Sequence, residues 1–161
     1  MSFSPQSKVW IYQSNRQFTA NEAEEIQQQL TEFTTQWKAH GHQLKAKAEI
    51  RYGFFIVLIV DQNEASATGC SIDSSVRVIK AIESTFGVDL FNRFNMAYKM
   101  ADEVVVNTKE DFETLITIKK IGPDTIVFNN LVQTLAEYEQ KWELPLKESW
   151  HNMIFAEQLN A

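Results

Sequence analysis

One cysteine, two histidines around a glycine and an aspartate at the end of an apolar run are the residues of this chain whose types could act together in catalysis. Cys70 stands at or just before the start of a helical pattern, where free backbone amides and the helix dipole favour a thiolate. A thiolate that attacks phosphate needs an arginine six positions on, so that guanidinium and loop amides share the anion. Val76 stands there and Arg77 comes one residue late, which turns the guanidinium by about 100° around a helix. The phosphatase reading fails on that displacement. The ordinary reading of Cys70 is a small, buried, inert core residue.

His40 and His42 flank Gly41, and Asp61 follows the apolar run 54–60. If Tyr52-Gly53 is a two-residue hairpin turn, Arg51 pairs with Phe54, Leu44 lies opposite Asp61 and His42 opposite Asn63. His42, Asp61 and Cys70 would then gather at one end of a sheet. In a thiol- or metal-dependent enzyme Cys70 would be nucleophile or ligand, His42 or His40 base or ligand, and Asp61 the orienting carboxylate. Ser71, Asp73, Arg77 and Asn129 are the ligand-binding candidates. Each has a structural alternative. The histidines suit a helix end, Asp73 can cap a helix or pair with Arg77 at i+4, and Asn129-Asn130 can cap the helix that follows. Glu49, Asp61 and Asp73 as nuclease carboxylates lack the carboxylate-x-lysine spacing, since Gln62 and Asn63 follow Asp61.

Phosphate-cradling loops are missing. Five residues after Gly69 stands Ser74 and five after Gly53 stands Leu58, so no G-x-x-x-x-G-K-[ST] loop forms, and G-x-G-x-x-G is absent too.

The elements that must position these residues are legible in outline. Val9–Tyr12 reads as a short strand. Thr19 and Glu22 form a capping box ahead of a helix with Ala23, Ile26, Leu30, Phe33 and Trp37 on one stripe, stopped at His40-Gly41. Leu44 to Tyr52 alternates apolar and charged residues as a half-buried strand, and 54–60 is apolar on both faces. Val76, Ile79, Ile82 and Phe86 mark a second helix ending at Gly87. Met96–Met100 and Val104–Val106 make another hairpin, Thr108 caps a third helix, and Thr125–Phe128 is a further strand. Leu131, Leu135, Tyr138 and Trp142 mark a fourth helix, ended by Pro145. Trp10, Trp37 and Trp142 are expected in the core, and Trp150, in Glu148-Ser149-Trp150-His151, is expected to dock the tail onto the domain. Single strands between helices together with hairpins indicate a single α+β domain over 1–161. It should hold a mixed or antiparallel sheet of five or six strands and four helices.

Composition narrows the function classes. With 15 Lys and Arg against 21 Asp and Glu, the chain of 161 residues has a net charge of −6, which argues against nucleic-acid binding. The longest apolar run, seven residues, is far short of the ~20 that cross a bilayer, so no membrane insertion is expected. The start MSFSPQSKVWIY lacks a basic segment followed by an apolar one, and a single cysteine excludes a disulfide framework. A cytoplasmic chain is the expectation. No cofactor is indicated. The open partner readings are a homo-oligomer or another protein.

The segments VWIYQS (9–14), ATGCSIDSSV (67–76), TIVFNNLV (125–132) and ESWH (148–151) together resemble a family of small uncharacterised bacterial proteins commonly labelled "ABC transporter ATPase". The resemblance runs from Val9 to His151 and implies a bacterial, cytoplasmic, stand-alone protein. The label implies a Walker loop and an ABC signature, and the sequence contains neither. With no complete catalytic motif, the leading expectation is a small module that binds a protein partner or small ligand without ATPase activity. A thiol- or metal-dependent enzyme around Cys70 is the alternative.

Overall fold

Thr19 begins the first helix as its side chain dictates. The hydroxyl accepts from the Glu22 amide at 3.1 Å, and Glu22 Oε1 accepts from the Thr19 amide at 2.9 Å. Arg16 holds the same carboxylate through two N–H···O bonds of 2.8 Å each. The computed structural model describes residues 2–63 and 65–161; Met1 and Glu64 lie outside the described residues. Helix α1 spans Ala20–Gln36 and follows strand β1, Lys8–Gln13. It ends before His40-Gly41, because Trp37 already has extended backbone. Strands β2 (Lys38–Ala39) and β3 (His42–Gln43) then pair, with Ala39 opposite His42. His40 and Gly41, at φ 51 and 79, form the tight turn between them. Two successive positive φ values are what a two-residue hairpin of matching twist requires. The expected helix stop is therefore a hairpin turn.

Strands β4 (Lys45–Arg51) and β5 (Phe55–Asp61) form the next hairpin. Arg51 lies opposite Phe55 and Lys45 opposite Asp61, a register one residue away from the expected one. The Phe54 amide does bond to the Arg51 carbonyl at 3.1 Å, around Tyr52 (φ 57) and Gly53 (φ 70). Phe54 remains in the turn, so three residues connect the strands. A Cβ on Gly53 would approach Gln17 Cγ to 3.1 Å, so the turn is tight as well as left-handed.

Strand β1 pairs with the other side of β5, giving a first sheet ordered β1-β5-β4. Helix α2 (Gly69–Phe86) leads to β6 (Asn95–Met100), β7 (Glu103–Thr108), α3 (Lys109–Thr117), β8 (Ile126–Phe128), α4 (Leu135–Lys141) and β9 (Glu143–Pro145). These four strands form a second sheet ordered β7-β6-β8-β9, and the short helices α5 (His151–Ile154) and α6 (Ala156–Leu159) close the chain. The fold is a single-domain α+β arrangement in which every strand pairing is antiparallel. The strands divide among three small sheets.

Period-two alternation explains the layering. Phe55, Val57 and Ile59 of β5 pack with Ala97 of β6 and Phe128 of β8, between the two large sheets. Ile56 and Leu58 point the other way, onto Ile26 and Leu30 of α1 and Ile79 and Ile82 of α2. Met96, Tyr98 and Val127, on the outer face of the second sheet, pack with Phe112 and Ile116 of α3 and with Phe155. Helices, sheet, sheet and helices thus form four layers. Strand β5 is buried on both faces, which is why its run is unbroken in apolar residues. Phe55, fully buried, lies 4.8 Å from the Phe128 ring and 4.9 Å from that of Trp142, so the aromatics bridge the sheets.

Helix α4 is capped by Thr134, whose hydroxyl accepts from the Glu137 amide at 3.2 Å, and not by Asn129-Asn130. Leu131 consequently lies outside the helix and is exposed. No helix among the described residues is long and apolar enough to cross a membrane.

Candidate ligand-binding site

Cys70 is exposed, against the expectation of a buried core residue. The reason is helical phase: α2 buries Ser71, Ser75, Ile79 and Ile82, and Cys70 precedes that stripe by one residue. Asp61 is buried, and its carboxylate is fully engaged. Oδ2 accepts from the Ser4 amide and Oδ1 from the Asn63 amide, both at 3.0 Å, and Lys45 Nζ is 3.6 Å away. Those amides hold its carboxyl below the usual carboxylate range. It fastens the N-terminal segment to β5. His40 and His42 are exposed on the β2–β3 hairpin. No hydrogen bond among the described residues joins Cys70, His42 and Asp61, and no group of three or more His, Cys, Asp or Glu there has the arrangement to hold a metal ion.

The ligand-binding candidates serve local structure. Ser71 Oγ accepts from the Thr68 amide at 2.7 Å, closing the capping box of α2, and its carbonyl accepts from Trp37 Nε1 at 2.8 Å. Arg77 donates to Ser74 Oγ at 3.1 Å instead of pairing with Asp73, which is exposed. Asn129 Oδ1 accepts from the Leu131 amide at 3.2 Å.

A different place offers a concave site. Where the end of β1 meets the start of β6, a cleft of about 430 Å³ opens between the two sheets. That volume is in the range that takes small molecules. Ile11, Ala97 and Phe128, from the facing sides of the two sheets, line it together with Met96, Leu90 to Arg93, Trp150 and His151. Phe91 packs edge-on to Tyr12 at 5.4 Å, and Leu131 stands exposed at the rim.

A chain of hydrogen bonds holds the two sheets in place along one side. Trp142 Nε1 donates to Asn130 Oδ1 at 2.9 Å, and Asn130 Nδ2 donates to Gln13 Oε1 at 2.9 Å. Gln13 Nε2 then donates to the Asn95 carbonyl at 3.0 Å. Each amide uses one N–H and one oxygen lone pair in this chain, which fixes the two side chains along this edge of the cleft.

Trp150 and His151 also belong to the lining of the cleft. Trp150 Nε1 is buried and has no hydrogen-bond partner. An indole N–H is a donor only, and leaving it unmade inside a protein costs about 1–3 kcal/mol. His151, 2% exposed, has Nδ1 2.8 Å from Ser149 Oγ. Burial lowers its pKa from 6.5 to about 4, so the ring is neutral at pH 7. An apolar cavity with a few convergent polar groups and a titration-shifted side chain is the usual form of a binding site.

Sequence reasoning passed over Gln13, Arg93, Asn95 and His151 as site residues. The one signal pointing here was Trp150, an aromatic among polar neighbours. It does dock the tail, packing against the core beneath the second sheet, and also lines the cleft. No protein-family model, curated protein or solved structure matches the chain, and the functional reading rests on this geometry.

Proposed function

We propose that this protein is a binding module for a small, largely apolar molecule held in the cleft between its two sheets. The observation that carries the reading is the cleft itself, about 430 Å³ in volume, where Ile11, Met96, Phe128 and Trp150 come together. The apolar body of a bound molecule would cover Ile11, Met96 and Phe128. The binding role needs no ATP hydrolysis, in keeping with a chain that has no phosphate-cradling loop. A lone exposed thiol at Cys70 suits a reducing compartment, which supports a cytoplasmic setting.

The test is a thermal-shift and tryptophan-fluorescence screen of small apolar and amphipathic compounds, with ATP alongside. Binding is expected to change Trp150 emission and raise the melting temperature, with both responses weakened in Trp150→Phe. Compounds that stabilise the wild type and Trp150→Phe equally would place the ligand elsewhere, and a shift with ATP alone would overturn the reading.

A further inference from the structure

We propose that β7 is a dimerisation edge, on which β7 of a second copy of this chain pairs antiparallel and joins the two four-stranded sheets into one. The first ground is where the backbone groups of β7 go. Met100 lies opposite Glu103, Tyr98 opposite Val105 and Met96 opposite Asn107. Ala101-Asp102 is a two-residue turn, and the pair that closes such a turn exchanges both of its N–H···O bonds. Bonded pairs recur at every second residue, so Glu103, Val105 and Asn107 face β6. The N–H and C=O groups of Val104 and Val106, and the N–H of Thr108, therefore face outward. Among the described residues no backbone bond from outside the hairpin reaches Val104 or Val106. Side-chain hydrogen bonds touch this strand only at Asn107 and Thr108.

The other sheet edges each carry a device that blocks pairing, and β7 does not. The start of β1 is bonded to the segment before α4, with the Val9 amide on the Gln133 carbonyl at 3.0 Å. Strand β4 bears Lys45, Lys47, Glu49 and Arg51, and Gln27 of α1 donates to its Ala48 carbonyl at 3.1 Å. Strand β9 has three residues and ends in Pro145. Strand β7 has six, with three consecutive valines, no proline or lysine, and an unbroken register with β6. Its valines are half-buried, as side chains with a neighbouring strand on one side only must be.

The occupant is a second copy because the edge complements itself. With the two-fold axis at Val105, Val104 of each copy lies opposite Val106 of the other, and each such pair exchanges both of its N–H···O bonds. Val105 then meets Val105 of the second copy, a β-branched cross-strand pair. Glu103 falls opposite Asn107 of the second copy on the same face. Asn107 Oδ1 already accepts from the Tyr98 hydroxyl, so its amide N–H is the group that points to the Glu103 carboxylate, which is exposed. An axis at Val106 is excluded, because it sets the Val104 amide against Thr108, whose carbonyl belongs to the first turn of α3.

Sedimentation velocity on the full chain and amide exchange followed by NMR test the proposal. A dimer is expected at about 100 μM, where an interface of micromolar affinity is mostly assembled. Val106→Pro removes an outward N–H and leaves the bonds to β6 in place, so it should weaken association ten-fold or more. In the dimer the amides of Val104, Val105, Val106 and Asn107 should all exchange slowly. A free edge would instead alternate, fast at Val104 and Val106 and slow at Val105 and Asn107. The exchange pattern is read on the wild type and decides the matter even if Val106→Pro does not fold. A chain that stays monomeric at this concentration would overturn the proposal and leave the edge to an extended segment of another protein. A dimer with the alternating pattern, or one undiminished in folded Val106→Pro, would overturn it too, because the copies would then meet elsewhere.

Discussion

The indole of Trp150 lies flat on the imidazole of His151, with ring centroids 3.8 Å apart and planes inclined by 22°. Trp150 is the N-cap of α5, which begins at His151. The imidazole is enclosed by Trp150, by Phe112 at 6.3 Å and by Phe155 at 6.5 Å, with the Ser149 hydroxyl on Nδ1. The tail thereby contributes two stacked rings to the lining of the cleft, the imidazole neutral at pH 7.

Trp150→Phe should separate stability from binding. The change removes an unpartnered buried N–H and keeps an aromatic ring on His151. Because the lost group carries a desolvation cost of about 1–3 kcal/mol, the free protein should lose less than about 1 kcal/mol despite the smaller ring. Affinity for the ligand should fall ten-fold or more. Urea denaturation of the free variant, set beside a titration, reads both quantities.

His151 should give the protein a pH-dependent stability in the mildly acidic range. Its pKa is about 4 in the fold and 6.5 when unfolded, so the unfolded chain binds the proton more readily between those values. Stability therefore falls as pH drops from 6.5 towards 4, by about 2 kcal/mol between pH 7 and pH 5. His151→Phe should flatten that part of the profile. Denaturation midpoints measured at half-unit pH intervals would show the slope, and a variant with the wild-type slope would refute the assignment.

Asn130→Ala should destabilise the protein by about 2 kcal/mol or more, because it strands Trp142 Nε1 and Gln13 Oε1 together. The two sheets meet through this chain, so ligand binding should weaken with it. Gln13→Ala removes the same link from the other side. If the link is one unit, the double variant should cost much less than the sum of the single ones.

Asp61→Asn should lower the melting temperature without altering ligand affinity. The variant loses the negative charge that receives the Ser4 and Asn63 amides and faces Lys45. Since the carboxyl is held below its ordinary value of 3.8, this contribution is present above that value and disappears as pH falls through the lowered one. The difference between wild type and variant should therefore vanish in strong acid.

Cys70 should react with a maleimide in the folded protein at neutral pH without denaturant, since it is exposed on α2. Binding in the cleft should survive the modification, because Cys70 is not among the residues that line it. Mass spectrometry follows the reaction, and titration of the modified protein reads the affinity.

Local side-chain chemistry was legible in the sequence. The Thr19 capping box, the Thr108 cap, the Gly87 helix stop and the β6–β7 hairpin act within a few residues of one another, so their signals survive in linear order. The apolar run before Asp61 likewise announced a strand buried on both faces. The turn at Tyr52-Gly53 was harder. Both residues take positive φ as a two-residue turn would, yet Phe54 stays out of the ladder and shifts every pairing by one. That shift placed Lys45, not Leu44, opposite Asp61, and the carboxylate became an anchor for Ser4. The cleft itself had no linear signal. Gln13 reaches its partners across 82 and 117 residues of chain, and Arg93 and Trp150 join them only when two separate sheets pack face to face. Helix caps and strand alternation are properties of neighbours along the chain. A cavity exists only once the tertiary structure has brought its lining residues together from distant parts of the chain.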